Sequence, residues 1–585
     1  MSRLADLTKS QTARDLQDLS AQRQENCLHM MAGNPYRLTT RSFLLLLFLY
    51  IQFFHGLGQI GLVGPDEPRY AQVAREMMLS GDYITPRLYG QPWFEKPVLY
   101  YWLAAQCYSV MGVSEVAARL PAALCAVILI FAVFMIGWKW QSRRCGLVAA
   151  LMLASSPMCI TLGRAASMDM LLTTALTLSL GGFYFGFFTP NERNVSARFP
   201  NYGPLWPLLY VSYFFLAVAL LAKGPVSLIL FGLILAVFFV LQPGSVSFRK
   251  LRLAQGALLF LAIALPWHFL CYRANGWVFI HEFLLQHNLA RYATDRFQHS
   301  QPFWFFIAVI AVGFLPWTIH FGAACVQFLK NLRNVRRDKF ESNELFFWAW
   351  AIVPLVFFSF SRSKLPGYIL PIFPAISLLT ASCWEGSLNN AFQPSVLSKF
   401  HRVEVLQSIL MTAAGLGVLV WGNKLNLEIG PLLTPLGLLI AGTGCVGLVL
   451  ALAGRYRAVG VSYLAGSALM VLFITHQVFP RIDGIESSRR LASVLKYEEF
   501  QGEPVFVYGV PRRVAYGLSF YLNSETRIIY SLSEISTPKT KYFYLLTPLS
   551  SDSKELLRRF RVEKQIPYPP QRVWKLCFND AATSQ

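Results

Sequence analysis

From Gly64 to Trp102 the chain reads GPDEPRYAQVAREMMLSGDYITPRLYGQPWFEKPVLYYW, crowding Asp66, Glu67, Arg69, Arg75, Glu76, Glu95 and Lys96 into one connector of a sequence that is 55% hydrophobic. Asp66, Arg69 and Tyr70 stand at i, i+3 and i+4, so a helix that starts near Pro68 sets them on one face. A carboxylate there can take a proton from an attacking hydroxyl or orient an acceptor. Cations beside it can stabilise phosphoryl oxygens. The carboxylates available are Asp66, Glu67 and Asp169; the cations are Arg69 and Lys96 in the same loop, with Arg164, Arg291 and Lys364 in other connectors. These residue types suit an amphipathic donor with a phosphate leaving group, held in a chamber that excludes water.

Each residue also has a plainer reading. Asp66 can cap its helix, and Asp169 can cap the following MDMLLTTALTL segment. Lys96 and Lys364 can snorkel to lipid headgroups, and Lys223 in LLAKGP can anchor the end of a span. His268, His281, His287 and His299 share one stretch with Glu282, yet no HExxH or compact four-ligand pattern appears, so each reads first as a hydrogen-bonded side chain. His287 is retained with Glu67 and Lys223 as a candidate channel residue. The ten cysteines are scattered without a CxxC pair and read as small buried apolar residues.

Elements that position these residues must lie in a bilayer, because only 14% of the chain is charged. Thirteen candidate spans are legible at about 41–63, 116–137, 147–162, 170–188, 206–222, 225–241, 252–270, 303–323, 345–360, 366–382, 406–421, 433–453 and 457–475. With a cytoplasmic N-terminus, Lys139/Arg143/Arg144, Arg249/Lys250/Arg252, Lys330/Arg333/Arg336/Arg337/Lys339 and Arg455/Arg457 all fall inside, as the positive-inside bias requires. The net charge of +21 is then explained by topology and anionic lipid, not nucleic acid. Residues 1–40 read as a cytoplasmic tail, 41–475 as a membrane domain including outer loop 64–115, and 476–585 as an extracytoplasmic α/β domain. Strand-like runs at 504–509, 526–530 and 541–546 alternate there with amphipathic stretches at 487–500 and 553–560. In the loop, DEPRYAQVAREMMLSG predicts a helix with a Val73, Met77 and Met78 stripe that ends at Gly81, and FEKPVLYYWLAAQCYSVMG predicts an aromatic second helix from near Pro97. Two such helices can roof a chamber that a lipid headgroup enters from the bilayer.

The same loop, with GRAASMDMLLT at 163–173, LLAKGP at 220–225 and SKLPGYILPIFPAISLL at 363–379, resembles bacterial lipid-linked-sugar glycosyltransferases of the aminoarabinose transferase and protein O-mannosyltransferase superfamily. The resemblance implies an α-helical polytopic membrane protein of GT-C fold with about thirteen transmembrane helices and a small extracytoplasmic α/β C-terminal domain. It implies an inverting enzyme of the bacterial inner membrane, N-terminus cytoplasmic and C-terminus periplasmic, acting as a monomer on an undecaprenyl-phosphate sugar. Asp66 matches the family's catalytic carboxylate and Asp169 the acidic residue that supports it; Tyr70, Glu95 and Lys96 match acceptor, metal or phosphate positions, and a divalent metal such as zinc is implied near Glu95. The acceptor is lipid A, a protein or a glycan. FFSF at 357–360 departs from the tyrosines of aminoarabinose transferases, and HEFLLQHNLARY is closer to the wider polyprenyl-sugar group. Transfer of 4-amino-4-deoxy-L-arabinose and transfer of mannose or another hexose both remain open. A lipid-linked-sugar transporter is the competing class, but it needs polar groups near the midplane, whereas this charge collects at span ends.

Overall fold

The computed structural model describes residues 35–188, 207–242, 251–290, 301–333, 342–389, 393–422, 430–498, 500–535, 542–549, 554–568 and 571–578. Its apolar segments are helices, the form in which a lipid-embedded segment pairs its own N–H and C=O groups. Among the described residues, eight helices are long and apolar enough to cross a bilayer, or nine when the bent pair Arg143–Ala154 and Pro157–Gly163 counts as one. The protein is therefore a multi-pass membrane protein, but this count falls short of the expected thirteen. Local causes account for the difference. Thr40–Phe53, Leu208–Lys223 and Val226–Leu241 are apolar but only 10–17 residues long, below the roughly 20 that a perpendicular crossing takes. The run expected at 303–323 is divided into Phe305–Gly313 and Thr318–Arg333 around Pro316, whose ring nitrogen has no proton to donate to a helix.

Met168–Phe187 and Pro366–Asn389 are the most enclosed spans, each 83% buried over its apolar window. Asp169 near the start of the first and Gly367 near the start of the second come together, so the most enclosed helices contribute to the site. The last span, Tyr456–Glu486, continues past residue 475 through a π-helical turn at Ile474–Val478.

Loop 64–115 folds as its sequence predicts. The helix Asp66–Ser80 buries Val73 and Met77, and Gly81 ends it in the left-handed region at φ 70°, its N–H donating to the Met77 carbonyl. Asp82 Oδ1 then accepts from the Ile84 and Thr85 N–H groups, both at 3.0 Å, and turns the chain. A two-stranded hairpin follows, β1 Arg87–Leu88 against β2 Gln91–Pro92. Its turn residues Tyr89 and Gly90 both have positive φ, as a two-residue hairpin loop of this hand requires, and Glu76 accepts from both their N–H groups at 2.9 and 3.0 Å. The helix Leu99–Met111 buries Tyr100, Tyr101, Ala104, Ala105 and Tyr108. The Tyr100 hydroxyl donates to the Ala118 carbonyl at 2.9 Å, which ties this helix to the span Glu115–Trp140.

The C-terminal residues form a five-stranded sheet in the order β4-β3-β5-β7-β6: β3 Val505–Tyr508, β4 Thr526–Ile529, β5 Phe543–Pro548, β6 Phe560–Tyr568 and β7 Gln571–Phe578. β3 pairs in parallel with β4 and β5, and β5, β7 and β6 are antiparallel. Side chains alternate across it. Tyr544 and Leu546 face a core with Leu491, Leu495, Leu518 and Leu522, and Phe543 and Leu545 face a second core with Phe506, Phe560 and Trp574. The helices Arg489–Tyr497 and Arg512–Leu522 cover the first face. The three expected strands are present and the two amphipathic stretches hold the helices Arg489–Tyr497 and Lys554–Arg559; the helix Arg512–Leu522 and the hairpin β6–β7 are additions that the sequence reading did not announce.

Candidate functional site

Asp66 is the first residue of its helix, and the cap position before it is Pro65, which offers no side-chain hydrogen bond. The Asp66 carboxylate pairs with the Arg69 guanidinium one turn on, and its side chain stays 49% exposed. Arg69 Nη2 also meets Glu95 Oε2 at 3.0 Å, and Glu95 Oε1 lies 3.8 Å from Lys96 Nζ. The loop's two halves, DEPRY and FEKP, are thus joined through Arg69. Aromatic rings enclose that guanidinium: Tyr70, Trp93 and Tyr516 lie 5.5, 5.4 and 5.5 Å from it, centroid to carbon. Burial, then the Glu95 and Asp66 carboxylates, raise the Tyr70 hydroxyl well above its ordinary pKa. Tyr70 is therefore a neutral phenol at every physiological pH. Burial, then Glu95, does the same for Tyr101, whose enclosed hydroxyl has no hydrogen-bond partner among the described residues.

Glu67, 100° around the helix from Asp66, faces different neighbours. It is buried, and Arg119 grips it through Nε at 3.0 Å and Nη2 at 2.7 Å. Its oxygens also accept from the Val63 N–H at 2.8 Å and the Ala166 N–H at 2.6 Å. Burial alone raises this carboxyl's pKa; the Arg119 charge and these hydrogen bonds outweigh burial and hold it below the usual range. Arg119 further donates to the Leu57, Ile60 and Gly61 carbonyls at 2.6, 2.7 and 2.8 Å. Glu67 and Arg119 thereby lock the loop helix, the exit of the first helix and the 164–167 turn into one body.

A second carboxylate stands beside the first cluster. The span Met168–Phe187 is capped by Ser167, whose hydroxyl accepts from the Asp169 N–H at 3.2 Å, so Asp169 itself is not the cap. Its carboxylate pairs with Lys223 and accepts from the Ser167 hydroxyl at 3.0 Å. Lys96 of the first cluster adds a weaker electrostatic influence on it, after Lys223 and Ser167. Lys223 Nζ lies 4.7 Å from the Tyr368 ring centroid. Gly367 comes so close that a Cβ there would sit 2.8 Å from Asp169 Oδ2.

Other candidates lie elsewhere. Arg164 donates to the His55 carbonyl at 2.7 Å and the Gln52 carbonyl at 3.3 Å, and reaches Thr475 Oγ1 at 3.4 Å. Burial, then Arg119, pushes its pKa down to about 10, so it is still a cation at neutral pH. Its contacts are those of a span-end clamp. Lys364 is buried and donates to the Gln301 carbonyl at 3.0 Å, a position that leaves it no path to snorkel. His287 is half-buried on the π-helical segment His281–Ala290, and Arg291 lies outside the described residues. Around Glu95 the neighbours are Arg69 and Lys96, and among the described residues no three His, Cys, Asp or Glu side chains converge. Among the described residues, that donor set falls short of the three or four nitrogen, sulfur or carboxylate ligands that zinc takes.

Arg119, Trp93, Tyr101, Tyr368, Gly367 and Tyr516 were not singled out from sequence. Arg119 carried a usable signal: it is a lone cation in the apolar run EVAARLPAALCAVILIF, where a charge must find a partner. Tyr516 carried none, since its partner is 447 positions away.

A family model described as dolichyl-phosphate-mannose-protein mannosyltransferase matches residues 39–330. The undecaprenyl phosphate-alpha-4-amino-4-deoxy-L-arabinose arabinosyl transferase of Pseudomonas aeruginosa is 30% identical over 342 residues, 57% of this chain and 58% of that protein. A transferase of the same description from Sodalis glossinidius is 26% identical over 489 residues, 78% of this chain and 82% of its own length. The chain thus spans 58% of the length of the first of these curated relatives. The crystal structure of ArnT from Cupriavidus metallidurans bound to undecaprenyl phosphate superposes with a TM-score of 0.73 at 23% identity, covering 93% of this chain and 98% of that one. Sheet domain and membrane helices therefore share one fold with that structure.

Proposed function

We propose, because this chain belongs to the bacterial ArnT/PMT-like family of GT-C polyprenyl-phosphate-sugar glycosyltransferases, that it moves a sugar from undecaprenyl phosphate to an acceptor at the periplasmic face of the inner membrane. One observation carries this reading: a half-exposed Asp66, held by Arg69, stands in the same cluster as Glu95 and Lys96, with the Asp169–Lys223 pair adjoining. The acceptor oxygen attacks the anomeric carbon, the bond from that carbon to the phosphate oxygen breaks, and its electron pair leaves with the polyprenyl phosphate. Inversion follows from attack opposite the leaving group. A hydroxyl acceptor passes its proton to Asp66; a phosphate acceptor, already ionised, is only oriented by it. Lys96 and Arg69, joined through Glu95, offset phosphate charge. Asp169 and Lys223 hold the adjoining wall, Glu67 fixes the helix from beneath, and Tyr70 and Tyr101 are neutral hydrogen-bond donors.

The finer reading is transfer of 4-amino-4-deoxy-L-arabinose to a lipid A phosphate, which the names of the Pseudomonas and Sodalis relatives support. Mannosyl or hexosyl transfer to a protein or glycan hydroxyl is the second reading, favoured by the description of the matching family model. Thirteen crossings with the C-terminal sheet in the periplasm complete the proposal: the short apolar helices and the split pair around Pro316 each serve as one crossing, and the Lys/Arg-rich connectors then lie inside.

Mass spectrometry of envelope lipids and glycans tests this, from cells with the protein, without it, and with Asp66→Asn. Loss of an aminopentose from lipid A in the last two selects the first reading, and loss of a hexose from protein or glycan selects the second. Unchanged profiles alongside an altered sidedness of lipid-linked sugar would sink transfer and favour transport.

A further inference from the structure

The helix Arg512–Leu522 of the C-terminal sheet domain turns Val514, Ala515, Leu518 and Leu522 into the domain's own core. Its opposite face is left for the loop helix Asp66–Ser80. Tyr516 and Phe520, one turn apart on that face, meet two arginines of the loop helix: the Tyr516 ring centroid lies 5.5 Å from the Arg69 guanidinium carbon, and the Phe520 carbonyl accepts from Arg75 Nη1 at 2.9 Å. Tyr521 clamps the same junction, accepting from the Leu62 N–H at 2.8 Å and donating to Glu115 Oε1 at 2.9 Å. Arg489 adds Asp483 at 3.0 Å and Glu115 at 3.3 Å. The two bodies therefore meet through a polar, directional junction, and one of its contacts falls on the guanidinium that joins Asp66 to Glu95.

We propose that Tyr516 is a positioning residue of the sugar-transfer site, through which the C-terminal domain holds Arg69 against Asp66 and Glu95. This rests on the transfer reading above. The guanidinium is a flat cation that pairs with the two carboxylates and has the rings of Tyr70, Trp93 and Tyr516 about 5.5 Å away. Tyr70 and Trp93 come from the loop itself; Tyr516 is the ring supplied by the other domain. Without it, Arg69 gains room to swing away from Asp66, and the carboxylate loses the partner that aims it. The ring does this, not the hydroxyl, since a cation is attracted to an aromatic face.

The test uses the full-length protein in lipid nanodiscs with a polyprenyl-phosphate sugar donor and the acceptor identified from envelope profiles. Tyr516→Ala is expected to lower kcat by about three- to thirty-fold while the KM for donor changes less than about twofold, since Arg69 acts on the reacting carboxylate. Tyr516→Phe and Tyr516→Trp, which keep a ring, are expected to retain nearly full kcat, whereas Tyr516→Leu fails like alanine. Unchanged kcat in the alanine variant, a loss in phenylalanine as large as in alanine, or a rise in KM alone would each overturn the proposal. A wild-type protein inert toward every donor sinks the transfer reading instead. A melting-temperature cycle of Arg69→Gln, Tyr516→Ala and the double variant then decides positioning without catalysis: non-additive losses support it and strictly additive ones overturn it.

Discussion

Asp66 and Glu67 are neighbours of the same chemical type, and the helix gives them opposite fates. Glu67 is enclosed with Arg119, so Arg119→Gln leaves a buried carboxylate without its partner; we expect a loss of about 3–5 kcal/mol, read as a lower melting temperature with activity falling in parallel. Asp66→Asn, at a half-exposed position, is expected to abolish transfer yet shift stability by less than about 1 kcal/mol. Acid titration separates the pair further. Because the folded Glu67 carboxyl lies below its ordinary value of 4.5, its stabilisation is complete above that pH and is lost as pH falls through the lower folded value. Melting curves between pH 3 and 6 are expected to decline on the acid side in wild type and to decline less steeply in Glu67→Gln; parallel declines would refute the assignment. Sequence placed both carboxylates near the chemistry because spacing alone cannot say which side of a helix finds an arginine. Arg119, fifty-two positions on, makes that choice.

At the scale of elements, the loop was legible and the contacts between elements were not. DEPRYAQVAREMMLSG carries its own start, stripe and stop, so Asp66–Ser80 follows from local rules. Asp169 was legible as a residue of interest, but the cap that frees it is Ser167, and its lysine comes from another helix. The segment Pro366–Ile372 is a tight 3-10 turn, and Gly367 lets it press against Asp169. Gly367→Ala forces a methyl to within 2.8 Å of the carboxylate oxygen, so the carboxylate must give way and its pairing with Lys223 is disturbed. Displacement of about 1 Å in such a site costs on the order of 10²-fold in rate, and a loss of that size is expected in kcat with the protein still folded. Gly386→Ala, where a Cβ meets nothing within 4 Å, is the control expected to keep full activity. Equal behaviour of the two variants would show that Asp169 tolerates movement.

Over the whole molecule, charge parity is an expectation read from the sequence alone, in which each short connector reports its side of the membrane independently. Strand pairing is carried worst: β6 and β7 lie at the chain's end, yet β7 inserts between β5 and β6, and no local signal fixes that order. Tyr516 against Arg69 belongs to the same class, a contact between residues 447 positions apart that no local signal announces. Parity makes a strict demand on both parts at once. If the loop 64–115 and the sheet share the periplasmic side, single cysteines in a cysteine-free background must label alike from that side. Tyr497→Cys, at a position 87% exposed on the sheet domain, and Leu79→Cys, 64% exposed on the loop helix, are expected to react with a membrane-impermeant maleimide in intact spheroplasts. Arg143→Cys and Arg455→Cys, in the connectors assigned to the cytoplasm, are expected to react only after permeabilisation. Labelling of Tyr497→Cys without Leu79→Cys would separate the sheet from the loop by a bilayer and contradict the Tyr516–Arg69 contact itself, whereas reversal of all four would preserve that contact and invert the orientation.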